Sequence, residues 1–225
     1  MNVAYCLTND YFQKAIPSMR SLLHHNPDAK IFVICEADEF PFPVHRVINV
    51  SKTDYLDKNG PNYHCLFTHI NLYRPIYASL IDEERVIHMD ADTVICDSLL
   101  PIWETDMTGK WYAAVPEYRG HFRPYGPTYY NMGVAVINLD QMRKDNTEAD
   151  MLHLINKMRL TYPDQDAYNL HTDKAVTIDV RYNETQITGQ TDDPAVVHYA
   201  GYAGWYSNPN IPRYEYLARW IPPHC

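Results

Sequence analysis

The segment Val86-Ile87-His88-Met89-Asp90-Ala91-Asp92-Thr93 sets two carboxylates two residues apart, directly behind a short apolar run. If that run is a strand, side chains at i and i+2 point to the same face, and Asp90 and Asp92 can address one cation. Carboxylate oxygens are hard ligands that suit Mg2+ or Mn2+. An Asp-x-Asp triplet is common in an acidic chain, and Asp164-Gln165-Asp166 supplies a second one. What favours metal binding at the first is its place at the carboxyl end of an apolar run. His198 closes another such run, Ala195-Val196-Val197, and is followed by the small residues Ala200, Gly201, Ala203 and Gly204. An isolated histidine is more often structural than a ligand. Beside two carboxylates, however, an imidazole would favour Mn2+ over Mg2+, being the softer ligand. Gly133, between Asn131-Met132 and the run Val134 to Leu139, admits two readings: close backbone approach to a ligand, or the ordinary start of a strand.

These residues need elements to hold them. Val3 to Leu7 reads as a buried strand, and Tyr11 to His25 has helical periodicity that stops at Asn26-Pro27. Ile31 to Cys35 is a continuous apolar run of the kind found in parallel strands covered on both faces. After the Gly60-Pro61 break, Leu66 to Ile81 reads as a helix that Pro75 must kink or divide. Val86 to Met89, Tyr112 to Val115 and Val134 to Leu139 read as strands, and Met142 to Leu160 as an amphipathic helix. A short helix near Asp164 and strands at Val176 to Val180 and Ala195 to Tyr199 complete the pattern. Strands alternating with helices predict an α/β sandwich around a mostly parallel sheet, with ligands beyond the carboxyl ends of the strands.

A chain of 225 residues is the size of one domain. Its 46% hydrophobic and 21% charged residues are ordinary for a soluble globular protein, and no apolar run is long enough to span a membrane. Val3 to Leu7 is too short for a signal-peptide core and follows no basic segment, so no secretion signal is expected. Five cysteines (Cys6, Cys35, Cys65, Cys96 and Cys225), an odd number without a C-x-x-C pair, suit reduced thiols and a cytoplasmic location. A net charge of −9 argues against nucleic acid as a partner. It also means that an anionic nucleotide would need a local positive charge, which a divalent metal supplies.

Four motifs, in order, give the chain a resemblance to the family-8 glycosyltransferases, the group of glycogenin and the bacterial lipopolysaccharide galactosyl- and glucosyltransferases. They are Leu7-Thr8-Asn9-Asp10-Tyr11, Asp90-Ala91-Asp92, Tyr130-Asn131-Met132-Gly133 and Asp164-Gln165-Asp166, and together with His198 they cover nearly the whole chain. The resemblance implies a single GT-A (Rossmann-like) domain over residues 1–225, with a mostly parallel, mixed central sheet flanked by helices. It implies that Leu7, Thr8, Asn9 and Tyr11 hold the nucleobase of a UDP-sugar, and that Asp90, Asp92 and His198 bind Mn2+ with the donor diphosphate. Asn131 would help to hold the sugar, while Asp164, Gln165 and Glu117 would lie beside it. Arg74, Ala91, Gly133 and Gly201 would also touch the donor. The family usually carries a lysine on the diphosphate six residues after the metal-binding histidine, where this sequence has Gly204.

Members of the family retain the anomeric configuration, and glutamine at position 165 is a poor nucleophile, so front-face attack by the acceptor hydroxyl is the expected route. The activity implied is transfer of a hexose, glucose or galactose, to a glycan or lipid-linked saccharide. The main rival is a weak or silent UDP-sugar-binding protein, because of Gly204. A nucleotidyltransferase would want a Gly-rich basic loop after the first strand, and a two-metal phosphohydrolase more His and Asp near Asp90. The loop Tyr118 to Tyr130, with Arg119, His121, Phe122, Arg123 and Tyr125, is either an acceptor-stacking loop or plain surface. The tail from Tyr214 to Trp220 could make a weak membrane-surface contact, though docking on the domain is the stronger expectation.

Overall fold

The computed structural model describes residues 1–65, 67–118 and 126–221. Leu66, the loop residues Arg119, His121, Phe122, Arg123 and Tyr125, and Cys225 lie outside the described residues. The strands are β1 (Asn2–Cys6), β2 (Lys30–Cys35), β3 (Arg46–Asn49), β4 (Val86–Met89), β5 (Thr93–Ile95), β6 (Tyr112–Pro116), β7 (Tyr130–Ile137), β8 (Ala175–Thr177) and β9 (Val196–His198). The helices are α1 (Phe12–His25), α2 (Tyr77–Leu80), α3 (Leu100–Trp103), α4 (Leu139–Lys144), α5 (Glu148–Lys157), α6 (Pro163–Asn169) and α7 (Tyr214–Ala218).

Seven strands form one sheet in the order β3-β2-β1-β4-β7-β6-β8, with β7 antiparallel to both of its neighbours and the other pairs parallel. The chain runs outward from β1 to β2 and β3 on one side and returns to place β4 on the other. The order therefore reverses between β1 and β4, and the crevice beyond their carboxyl ends is where such sheets bind ligands. Burial on both faces explains the unbroken apolar runs. Ala4 and Cys6 of β1 enter one core layer, while Val3, Tyr5 and Leu7 enter the opposite one. An unpaired polar group in these strands would cost about 1–3 kcal/mol. Asn2, His88 and Asn131, buried polar side chains of this sheet, are each hydrogen-bonded.

Several elements differ from expectation. The helix expected up to Ile81 is a 3-10 helix over His69–Ile76 followed by the single turn α2. Pro75 has no N–H to donate, and its ring crowds the carbonyl four residues back, so the α-helical ladder is interrupted there and the segment divides. The expected Met142 to Leu160 helix is two helices, α4 and α5, separated at Asn146, whose φ of 54° breaks the ladder. Strand β7 begins at Tyr130, upstream of the expected Val134: Tyr130 and Asn131 pair with Pro116 and Val115 beyond a register shift, and the Asn131 side chain accepts the Gly133 N–H. Strands β3 and β5 carry too few residues to give a periodic signal.

The segment after β9 packs back on the domain. Leu217 of α7 is buried with Val94, Val197, Tyr199 and Trp205, and the Trp220 ring packs at a tilt against His24 of α1. Cys6, Cys35, Cys65 and Cys96 are free thiols. Among the described residues, no helix is long and apolar enough to cross a membrane.

Candidate active site

The turn Asp90-Ala91-Asp92 joins β4 of the large sheet to β5, which pairs with β9 in a small antiparallel ribbon that sets Thr93 opposite His198. The turn is held at both ends. Asp90 N donates to Gly133 O at 2.8 Å, and Tyr199 N donates to Asp92 O at 2.8 Å. Beneath it a buried chain of hydroxyls, Tyr5 to Ser18 to Thr93, ends with Thr93 Oγ1 donating to Asp90 O at 2.8 Å. The two aspartates thus lie beyond the strand, and what brings them to one point is the turn and ribbon, not the two-residue period.

Their convergence point is the His198 ring. Nε2 of His198 lies 3.6 Å from Asp90 Oδ2 and 3.3 Å from Asp92 Oδ1, and the three ligand atoms all fall within 4.8 Å of one another. On the other edge of the ring, Nδ1 is 2.8 Å from Asn183 Oδ1. Gly133 makes room for this: a Cβ there would overlap the His198 ring and come within 2.8 Å of Asp90 Oδ2. The close approach at Gly133 is therefore by the protein's own ligand side chains. Two carboxylates and one imidazole form a donor set suited to a divalent cation, so these residues could hold one.

Arg74, on the 3-10 helix, ties this centre to the next element. Its Nη2 donates to Asp90 Oδ1 at 2.5 Å and to Asn71 Oδ1 at 3.0 Å, and its Nη1 donates to Asp164 Oδ2 at 2.8 Å. Burial disfavours the Arg74 charge, yet Asp90 and Asp164 more than offset that and raise its pKa. Burial also acts to raise the Asp90 carboxyl, but Arg74, His88 and His198 outweigh it and hold it well below the usual carboxylate range. Asp164 is left above its usual range, since burial there exceeds the help from Arg74. His88 sits between Tyr77 OH at 2.9 Å and Asp90 Oδ1 at 3.3 Å, and burial, reinforced by Arg74, lowers its pKa to about 4. For His198 burial pulls downward, but the facing carboxylates of Asp92 and Asp90 turn the net shift upward.

A second polar cluster borders the first. Asn131 Nδ2 donates to Glu117 Oε1 at 2.7 Å, and Gln165 Nε2 donates to the same oxygen at 3.2 Å. The Gln165 carbonyl oxygen accepts the Met132 N–H at 2.9 Å. The neighbouring Asp166 is fully buried and accepts from the backbone of Thr161 and Tyr162 ahead of α6, and from Tyr129 OH. The second Asp-x-Asp is therefore not a metal pair: Asp164 faces Arg74 and Asp166 fastens a helix start.

A cavity of about 610 Å3 opens over both clusters. Leu7, Thr8, Tyr11, Arg74, Asp90, Ala91, Asp92 and His198 are among its lining residues. Asn131, Gly133, Asp164, Gln165 and Gly201 complete the expected set. Asn9 is exposed and lies off the lining, and Glu117 sits behind Asn131 and Gln165 rather than on the wall. Gly204 is exposed with φ 66° and is not part of the lining. The reading from sequence missed Asn71, Thr68, Gln186 and the buried Asn183. Of these only Asn71 carried a signal, standing three residues before Arg74 on one helical face.

The seven-stranded mixed sheet, with this cavity at its switch point, has the GT-A fold of solved glycosyltransferases. The galactosyltransferase LgtC, solved with donor and acceptor sugar analogs, superimposes with a TM-score of 0.76 at 18% identity, over 98% of this chain and 95% of its own. The pneumococcal glycosyltransferase GlyE gives 0.74 at 18% identity, over 99% of this chain and 60% of that one. The sequence pattern of glycosyl transferase family 8 matches residues 2–207, and the chain belongs to that family. Similar curated proteins include glycosyltransferase GlyB of Streptococcus pneumoniae serotype 4, 22% identical across 91% of this chain. General stress protein A of Bacillus subtilis is 28% identical across 64% of it. The chain spans 57% of the length of the first and 62% of the second.

Proposed function

We propose that this chain is a metal-dependent, retaining hexosyltransferase. It would move glucose or galactose from a UDP-sugar to a hydroxyl of a glycan or lipid-linked saccharide, as one catalytic domain over residues 1–225. The observation that carries the reading is the convergence of Asp90 Oδ2, Asp92 Oδ1 and His198 Nε2 among residues that line the cavity. Asp90, Asp92 and Asp164 face it with Arg74 as the cationic counterpart among the described lining residues, and Arg74 is already engaged by two carboxylates. An anionic donor entering that field needs a further positive charge. A divalent cation on the three ligands, Mn2+ in preference to Mg2+, supplies it and stabilises charge on the departing UDP.

The chain's own groups divide the remaining work. Leu7, Thr8 and Tyr11 receive the nucleobase in the cavity. Asn131 and Asp164 stand where the sugar hydroxyls must be oriented, and Arg74 keeps Asp164 in place. The Gln165 carbonyl oxygen is committed to Met132 N–H and its amide to Glu117, so the side chain is not aimed as a nucleophile. That supports front-face attack, with the acceptor hydroxyl entering on the leaving-group side. The free thiols support a reducing compartment, the cytoplasm.

The second reading, a binding protein with little turnover, is favoured by one observation: Gly204 offers no cation where the family carries lysine. Calorimetry with Mn2+ and a panel of UDP-sugars tests the common ground of the two. Saturable, Mn2+-dependent binding that disappears in Asp92→Ala supports the site, and binding that ignores both metal and substitution rejects it.

A further inference from the structure

The hydrogen bonds behind the three ligands run in one direction. His198 Nδ1 lies 2.8 Å from Asn183 Oδ1, and Asn183 Nδ2 donates to Asn131 Oδ1 at 2.8 Å. Asn131 Nδ2 then donates to Glu117 Oε1 at 2.7 Å. An ionised carboxylate only accepts, so Glu117 fixes which end of the Asn131 amide faces it. Asn131 Oδ1 also accepts the Gly133 N–H at 2.9 Å, which fixes the same orientation from the backbone. With Asn131 presenting oxygen, Asn183 must present its amide hydrogens to it and turn its own oxygen to His198. An oxygen at that point accepts only, so Nδ1 must carry the proton of a neutral ring. Once the ring is neutral, as a metal ligand must be, Nε2 is the nitrogen left with a lone pair toward Asp90 and Asp92.

We propose that Asn183 is a positioning residue: aligned by Asn131 and Glu117, it sets the tautomer of His198 and so makes Nε2 a metal-ready ligand. The proposal deepens the metal-dependent reading above and rests on it for its purpose. Asn183 is itself fully buried and lines no part of the cavity, so it has no contact with a donor to explain its polarity. Its second role is a link. The chain from His198 through Asn183 to Asn131 and Glu117 meets Gln165, which donates to the same Glu117 oxygen. One carboxylate behind the cavity wall therefore orients both the metal-binding ring and the side chains beside the donor sugar. A ligating histidine held at its second nitrogen typically loses about 10–100-fold in metal affinity when that partner is removed.

The test uses the whole chain, free of metal, with imidazole 15N–1H spectra to read which nitrogen of His198 is protonated, and Mn2+ alone as the probe of affinity. At a pH where the ring is neutral, the wild type is expected as the Nδ1–H tautomer; a neutral ring protonated at Nε2 instead overturns the proposal. Asn183→Leu, similar in size but without the acceptor, is expected to release the tautomer and weaken Mn2+ binding about 10–100-fold. Asn183→Asp, which keeps an acceptor toward Nδ1, is expected to restore most of it. Equal Mn2+ affinity in the wild type and a folded Asn183→Leu overturns the proposal. The tautomer spectrum needs neither metal nor sugar. A wild type with the Nδ1–H ring that binds no Mn2+ would sink the metal-dependent reading and leave the tautomer assignment of Asn183 standing.

Discussion

Gly133 of β7 leaves the space that the His198 ring fills: a side-chain carbon at this one position would overlap the imidazole and press on Asp90. Two segments 65 residues apart therefore fit only because one of them has no side chain here. Gly133→Ala must push the ring off the Asp90–Asp92 pair. The expected result is a folded protein whose Mn2+ affinity falls at least about tenfold, read by calorimetry, since displacing a ligand costs no less than loosening its support.

Arg74 joins two carboxylates that would otherwise face each other across a buried wall. Removing the cation while leaving both acids is the costly way to break such a group, at about 3–5 kcal/mol. Arg74→Met should show that loss in urea unfolding. Arg74→Lys should keep part of the stability but not the sugar-side geometry, because an ammonium cannot hold Asp90 and Asp164 in one planar fork.

His88 is buried beside Arg74, and its pKa is lowered from 6.5 to about 4. The folded value lies below the unfolded one, so the unfolded chain takes up the proton first as pH falls. Stability then declines from about pH 6.5 down to about pH 4 and levels off below. At about 1.4 kcal/mol per pH unit, the loss from this residue is about 3 kcal/mol. In metal-free protein the wild type should lose that much more stability across the window than His88→Gln, measured by denaturant unfolding at each pH.

Gly204 lies in the open with nothing near its missing side chain, although its φ of 66° disfavours any other residue. Gly204→Lys should cost about 1–2 kcal/mol of stability. If the diphosphate lies where the family's lysine grips it, the same change should tighten UDP binding about fivefold, a gain of about 1 kcal/mol. Unchanged UDP affinity would place the diphosphate elsewhere.

The grouping of Asp90, Asp92 and His198 was readable because the aspartates follow β4 and His198 ends β9, and polar residues at the ends of apolar runs were the ones to compare. The stated reason was only partly right, since a turn and a short ribbon, not strand periodicity, bring the atoms together. Arg74 was readable through its resemblance alone; nothing in the local sequence says that it spans from Asp90 to Asp164. Asn183 was not readable at all. It follows a 3-10 turn over Val180–Tyr182, far from both Asn131 and Glu117 in sequence, and its function exists only once those segments are packed. The helix expected up to Ile81 is divided, one of the two outcomes that Pro75 allowed; the 3-10 form of the first part was not readable.

The central claim is metal-dependent transfer from a nucleotide sugar, and UDP release with Mn2+ across a panel of UDP-sugars tests it most directly, comparing wild type with Asp92→Ala. Release from one donor, accelerated by a saccharide acceptor and lost in the variant, is the predicted result. Release that proceeds equally well in Asp92→Ala, or without any divalent cation, would contradict it.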